Sequence, residues 1–217
     1  MKLVIFGPPG SGKGTYASRL EAKLGLSVIA MGDIFREIMK KDTKLGREVR
    51  GFVEKGQLVP DSVVIKVLKE RLSELAGKKG FILDGFPRTI EQALALEDLI
   101  KIDAVVRLIV PDWIIIERLS SRRQCKKCGE IYNIRFLKPR IAGVCDKCGG
   151  ELFQRSDDTP KVIEDRIGVY ERQTEPILQF YEERNTPIIQ FSCQSLDMPP
   201  EVAVLSIIEQ LKQKDLI

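Results

Sequence analysis

No histidine occurs among the 217 residues. Imidazole is thereby excluded as general base, nucleophile and metal ligand. Any chemistry must rest on lysine, arginine, carboxylates, cysteines and bound ions. An excess of one charge sign is also lacking. The 35 Lys and Arg stand against 31 Asp and Glu, a net charge of +4. That balance does not call for a nucleic-acid or membrane partner. No apolar run approaches the roughly 18 residues of a transmembrane helix. Internal repeats and low-complexity tracts are absent, and the N-terminus carries no basic leader. A cytoplasmic location is the default expectation. With 43% hydrophobic residues, the chain can build one substantial domain with an insertion.

The apolar run Lys2–Phe6 leads straight into Gly-Pro-Pro-Gly-Ser-Gly-Lys-Gly-Thr at residues 7–15. A strand, a glycine-rich turn and a helix start in this order suit phosphate. Glycines let backbone N–H groups curl around oxygens, the helix adds its positive end, and Lys13 adds a mobile charge. The general pattern places Ser or Thr directly after the lysine, to reach Mg²⁺. Here Gly14 holds that place and the hydroxyl comes at Thr15. The shift points away from GTPases and motor ATPases and toward small-molecule kinases. A glycine-rich turn without a ligand is the alternative. Phosphoryl transfer to a phosphate acceptor also suits a chain without histidine. The attacking oxygen is already anionic near neutral pH, so catalysis reduces to positioning and charge neutralisation.

Strand-like runs recur at Leu3–Phe6, Ser27–Ala30, Phe81–Leu83, Ala104–Val110 and Ile188–Phe191. Helical patterns cover Gly14–Leu24, Asp33–Lys40, Leu45–Glu54, Ser62–Leu75, Ile90–Ile100, Asp112–Arg122, Lys161–Arg184 and Glu201–Lys212. This alternation predicts an α/β fold on a parallel sheet covered on both faces. Motif-bearing segments follow three strand ends, at Gly7–Thr15, Gly32–Arg36 and Asp84–Arg88, where such folds bind ligands. The C-terminal Lys-Gln-Lys-Asp-Leu-Ile reads as a fraying helix end.

Alternation breaks at about residues 123–157, a cysteine-bearing, basic stretch without a clear helix. Cys125-x2-Cys128 and Cys145-x2-Cys148 stand sixteen residues apart, each pair on a glycine-containing turn. Four thiolates fill a tetrahedral Zn²⁺ site and leave it closed, which makes it structural. Two disulfides, or thiols without a partner, are the alternative, and iron suits the same ligands. The zinc would staple a piece too small to fold alone. Cys193 is left over as a buried or incidental thiol.

Arginines cluster at strand ends and at the borders of this insert: Arg36, Arg88, Arg118, Arg122, Arg123, Arg155 and Arg166. Planar guanidinium forks suit phosphate. Asp84, at a strand end, is placed to order Mg²⁺ through water. Taken with Gly-Asp-x-x-Arg at 32–36, Asp-Gly-Phe-Pro-Arg-Thr at 84–89 and the Arg-Arg pair before Cys-x2-Cys, the chain resembles the adenylate kinase family over essentially its whole length. It is similar to the long form with a zinc-bearing lid.

The resemblance implies a P-loop three-layer fold with a central five-stranded parallel sheet. It divides the chain into a core (1–29, 60–121 and 159–217), a helical monophosphate-binding insert (30–59) and a zinc-binding, ribbon-like lid (122–158). It implies reversible phosphoryl transfer from MgATP to AMP, giving two ADP, in a monomer that uses neither nucleic acid nor membrane. Gly10, Ser11, Gly12, Lys13, Gly14 and Thr15 would hold the ATP phosphates, and Arg118, Ile131 and Tyr132 would meet the ATP base. Arg36 and Arg88 would hold the AMP phosphate. Met31, Gln57, Leu58, Val59, Gly85, Phe86 and Gln92 would frame the AMP base. Arg122, Arg155 and Arg166 would close over the transferring phosphates, with Asp157 and Asp158 serving as a hinge or as lid partners of the arginines. Met31 stands where the family usually has Thr, Asn133 replaces a common lid histidine, and the 192–195 loop matches poorly. Another nucleoside monophosphate kinase, taking UMP, CMP or GMP, is the nearest rival. A zinc-ribbon nucleic-acid-binding ATPase is a rival of a different class, and it calls for a strongly basic face. A catalytically silent nucleotide-binding module is a third.

Overall fold

The computed structural model describes residues 1–74 and 79–217. The chain runs from β1 (Lys2–Phe6) through α1 (Lys13–Leu24) and β2 (Ser27–Ala30) into α2 (Met31–Lys40), α3 (Lys44–Val53) and α4 (Asp61–Glu74). Then come β3 (Phe81–Asp84), α5 (Ile90–Leu99), β4 (Ala104–Ile109) and α6 (Asp112–Ser120). Three short strands follow, β5 (Arg122–Cys125), β6 (Ile131–Asn133) and β7 (Leu152–Phe153). The chain ends with α7 (Pro160–Val169), a π-helical turn (Tyr170–Thr174), α8 (Ile177–Glu183), β8 (Ile188–Ser192) and α9 (Pro200–Gln213). No described helix is long and apolar enough to cross a membrane.

The main sheet is five-stranded, parallel and ordered β2-β3-β1-β4-β8. The period-two alternation of its strands sorts side chains onto two cores. Leu3 and Ile5 of β1 join Ala17 and Leu20 of α1 and Ile207 and Leu211 of α9 on one face. Val4 and Phe6 join Val64 and Leu68 of α4, Leu96 of α5 and Ile177 of α8 on the other. Covering both faces explains why the strands read as nearly continuous apolar runs. β1 lies between β3 and β4, so the sheet order switches direction beside the loop that follows Phe6. In such sheets the ligand crevice opens beyond the strand ends at this point.

The insert carries an antiparallel sheet ordered β6-β5-β7. Its small core consists of Cys125, Tyr132, Cys145 and Leu152, with Cys148 against it.

Three sequence expectations change. The helix expected over Lys161–Arg184 is interrupted. Glu175 N–H reaches back five residues to Tyr170 O, and Pro176 has no N–H to continue the ladder. The helix expected to end at Arg122 stops at Ser120, the buried Ser121 hydroxyl turns back on Glu117 O, and Arg122 opens β5 opposite Asn133. The C-terminus does not fray: Asp215 takes φ 54°, Leu216 N–H returns to Leu211 O, and Leu216 packs on the core. Leu75, assigned to a helix from sequence, lies outside the described residues.

Candidate active site

A cavity of about 800 Å³ opens beyond the sheet's carboxyl edge. The loop after β1 forms one end of it. Gly12 caps α1 with φ 99°, and a Cβ there would stand 2.9 Å from the Tyr16 ring. Only glycine combines that backbone with that contact. Lys13 Nζ donates to Gly7 O at 2.6 Å and Pro8 O at 2.8 Å, so the loop's own carbonyls hold the ammonium in place. Burial pushes its pKa from 10.5 down to about 7, against the attraction of Asp84. Asp84, at the end of β3, has its own pKa raised by burial, against Lys13 and Arg88. Its Oδ2 lies 3.4 Å from where a Gly14 Cβ would be, so the carboxylate stands over the first turn of α1.

Asp-Gly-Phe-Pro-Arg builds the other end. Gly85 takes φ 78°, and a Cβ there would stand 2.8 Å from Arg88 Nη2. The fold thus lets Arg88 pack against its own turn, Nε donating to Gly85 O at 2.9 Å. The π-helical turn supports it from behind, Thr174 Oγ1 donating to Arg88 O at 3.1 Å. Gln92 is 1% exposed but lines the cavity. Its Oε1 accepts from Arg88 N–H at 2.8 Å and its Nε2 donates to Asp61 Oδ1 at 2.6 Å. Met31 opens α2 and packs in the same apolar cluster as Phe35, Val59 and Phe86.

Between the two ends, each arginine has part of its fork anchored. Arg122 gives Nε and Nη2 to Asp158, which is fully buried. Arg166 spends Nη1 on Asp157 and Asp158. Arg155 gives Nε to Gln124 Oε1 at 2.7 Å, and its Nη2 comes within 3.9 Å of Asp33 across the cavity. Arg36 gives Nε and Nη2 to Asp33. At least one terminal nitrogen of each, and of Arg88, makes no hydrogen bond to any described residue. Such forks are preorganised for an anion. Burial lowers the pKa of Arg88, Arg155 and Arg166, the last to about 10. Burial alone would raise Asp157, but Arg166, Arg122 and Arg155 outweigh it and hold the carboxyl low. Among the described residues, nine Lys and Arg line the cavity, Lys13, Arg36, Arg88, Arg122, Arg155 and Arg166 among them, against six Asp and Glu, including Asp33, Asp84 and Asp157. The excess is positive, and it suits several phosphates.

The four cysteines meet within the insert, their sulfurs all within 4.8 Å of one another, and Cys128 reaches the cavity wall. Cys125 and Cys148 lie 3.5 Å apart, Cys128 and Cys145 3.6 Å apart, all as free thiols. A disulfide needs about 2.05 Å, whereas a tetrahedron with Zn–S arms of about 2.3 Å has edges near 3.8 Å. Gly129 N–H returns to Cys125 O and Gly149 N–H to Cys145 O, forming two matching knuckles.

The structure brings nearly all the sequence-selected residues to the cavity. Gly10, Gly12, Lys13, Gly14 and Thr15 line one end, with Arg118, Ile131, Tyr132 and Asn133 beside them. Gln57, Leu58, Val59, Gly85 and Phe86 line the other. Ser11 does not line it. Its hydroxyl is buried without a partner, the only such side-chain atom among the described residues. Tyr132 has a second role, its hydroxyl contacting Cys145 Sγ and accepting from Asp146 N–H. Arg118 is not free: Nη2 contacts Cys193 Sγ at 3.0 Å and Ser195 O at 3.3 Å. The poorly matching 192–195 loop is therefore what holds it. Asp33, Asp61, Gln124 and Thr174 were not singled out from sequence. Asp33 sits inside the Gly-Asp-x-x-Arg motif, where its spacing from Arg36 was a usable signal; the other three carry none.

The chain resembles known proteins along most of its length. The family model described as adenylate kinase matches residues 5–186. An adenylate kinase of Archaeoglobus fulgidus is 45% identical over 189 residues, covering 85% of this chain and 87% of its own. One of Bacillus cytotoxicus is 49% identical over 188 residues, covering 84% and 87%. One of Clostridium tetani is 45% identical over 190 residues, covering 85% and 88%. A cationic cavity with a phosphate loop at one end and Arg36 and Arg88 at the other agrees with these matches, and the chain belongs to the adenylate kinase family.

Proposed function

We propose that the chain transfers a phosphoryl group reversibly between MgATP and AMP, yielding two ADP. The observation that carries this reading is one cavity with two anion-binding ends and three anchored arginines between them. ATP phosphates enter at Gly10–Thr15 with Lys13, and the AMP phosphate at Arg36 and Arg88. Arg122, Arg155 and Arg166 neutralise charge on the transferring group. The acceptor oxygen is already anionic, so no protein base is needed. Mg²⁺, when bound, offsets phosphate charge. Asp84 and Thr15 suit its water shell, because the buried carboxylate overlooks the loop where a Cβ at position 14 would otherwise intrude.

Gln92 supports adenine as the acceptor base. With Asp61 accepting and Arg88 N–H donating, the amide cannot flip without opposing like groups. One Nε2 hydrogen and one Oε1 lone pair remain. Adenine offers an acceptor at N1 and a donor at its 6-amino group, which match; guanine reverses both. Residues 30–59 and 122–158 form the acceptor insert and the lid, and closing them excludes water that would hydrolyse the activated phosphoryl. Zn²⁺ suits the four cysteines, whose spacing is that of a closed thiolate tetrahedron. Cytoplasmic residence and a monomer belong to this reading.

The test is a screen of MgATP against AMP, GMP, CMP and UMP, with products resolved by chromatography. ADP from ATP and AMP is expected. No ADP from that pair overturns the proposal.

A further inference from the structure

We propose that Gln124 is a positioning residue: it fixes the guanidinium of Arg155 by anchoring it to the first cysteine knuckle. This rests on the reading of Arg155 as a phosphate-binding arginine of the lid.

Gln124 sits in β5, the middle strand of the insert sheet, paired with Ile131 on one side and Phe153 on the other. Its side chain does not line the cavity, and the residue is 5% exposed. Both ends of its amide are used. Oε1 accepts from Arg155 Nε at 2.7 Å, and Nε2 donates to Gly129 O at 3.0 Å. Gly129 follows Cys128, and its own N–H closes the knuckle on Cys125 O. The carbonyl that orients Gln124 is therefore fixed by the turn that presents two of the four thiols. A flipped amide would set N–H against Arg155 Nε–H and oxygen against the Gly129 carbonyl, so the orientation is determined.

Arg155 has little else to hold it. The contact to Asp33 is 3.9 Å long and crosses the cavity to the acceptor insert. It depends on the two inserts facing each other, as does the approach of the Gln124 amide to Asp33, whereas the Gln124–Arg155 bond lies within the insert that carries both. Glutamine is suited to this bridge, being neutral with both an acceptor and a donor. Glutamate would oppose the Gly129 carbonyl with a second acceptor. An apolar side chain would leave a buried guanidinium and a buried carbonyl both short of a partner.

A double-mutant cycle tests the role in the full chain, with kcat and KM measured for ATP and AMP and bound zinc measured per chain. Gln124→Met keeps the volume and removes both hydrogen bonds. Misplacing a group that acts in the transition state lowers kcat, here by about tenfold, with little change in either KM. Zinc content is expected to stay at the wild-type level, which separates lost position from a lost lid. In an Arg155→Ala background the same change is expected to cost nothing further. An equal loss in both backgrounds, or wild-type kcat in Gln124→Met, overturns the proposal. If Arg155→Ala itself keeps wild-type kcat, the assigned role of Arg155 fails, and this proposal with it. Should Gln124→Met not fold, the cycle is run with Gln124→Ala, which also removes the acceptor for Arg155, and the same non-additivity is expected.

Discussion

Lys13 has a titration that couples to its ligand. In the free protein its ammonium is held by Gly7 O and Pro8 O, and burial takes its pKa from 10.5 to about 7. An unfolded chain therefore binds more protons at this site between about pH 7 and 10.5. The burial penalty is complete below pH 7 and is relieved as pH rises through that window, so this group makes the free fold more stable toward alkaline pH. Phosphate oxygens beside Nζ restore the charged form. ATP binding at pH 8 to 9 is thus expected to take up a proton, read by calorimetry in buffers of different ionisation enthalpy. Lys13→Met is expected to abolish this uptake and to lower kcat by at least about 100-fold. Uptake of the same size in the variant would show that another group titrates. At the acceptor end, Asp61 sets the Gln92 amide through its 2.6 Å hydrogen bond. Asp61→Asn can present either an oxygen or an N–H there, which removes one of the two groups opposing a flip and leaves only the Arg88 N–H. The ratio of AMP to GMP turnover is expected to fall several-fold, since one misdirected hydrogen-bond pair is worth about 1–2 kcal/mol. An unchanged ratio would remove Asp61 from base selection.

At the level of elements, the parallel strands were legible to within about one residue because their two-sided burial writes itself as apolar runs. The phosphate loop, Asp-Gly-Phe-Pro-Arg and the cysteine pairs were legible because backbone geometry and ligand chemistry there demand particular residues. The break in the Lys161–Arg184 helical pattern was not. Its apolar spacing continues through Tyr170–Thr174, and only Pro176 marks the change, from downstream of the π turn. Gln124 and Asp61 were illegible for a different reason: polar bridges between segments far apart in sequence leave no local pattern. The junction of α6, β5 and α7 shows what such bridges carry. Asp158 is fully buried between Arg122 and Arg166, one residue before Thr159 caps α7. Removing one partner of a buried ion pair strands the other. Asp158→Ala is expected to destabilise the protein by roughly 3 kcal/mol and to lower Tm by several degrees. A Tm within a degree of wild type would mean that water already solvates Arg122.

Across the whole molecule, stability is unevenly divided. The main sheet is covered on both faces by extensive apolar clusters, whereas the insert sheet has only Cys125, Tyr132, Cys145, Leu152 and Cys148 to pack together. So small a core does not offset the entropy of ordering its backbone, at about 1–2 kcal/mol per residue. On the proposed zinc site, metal binding by the four thiolates supplies the difference. The insert also holds Arg155 and, through Asn133, grips the end of α6: Nδ2 donates to Arg118 O and Ser121 Oγ, and Oδ1 accepts from Arg135 and Phe136 N–H. Loss of metal is therefore expected to have two separable effects. Chelation at neutral pH should open residues 122–158 to rapid hydrogen exchange while β1, β3 and β4 keep their protection. On the proposed assignment of ATP to the Lys13 end and AMP to the Arg36 and Arg88 end, it should also lower kcat, because Gly129 no longer fixes Gln124, and raise the KM for ATP more than that for AMP, because Arg118 lies beside the Lys13 end. Protection lost uniformly across the main sheet would make the metal a global staple. An unchanged exchange pattern in fully stripped protein would mean that the insert folds without it.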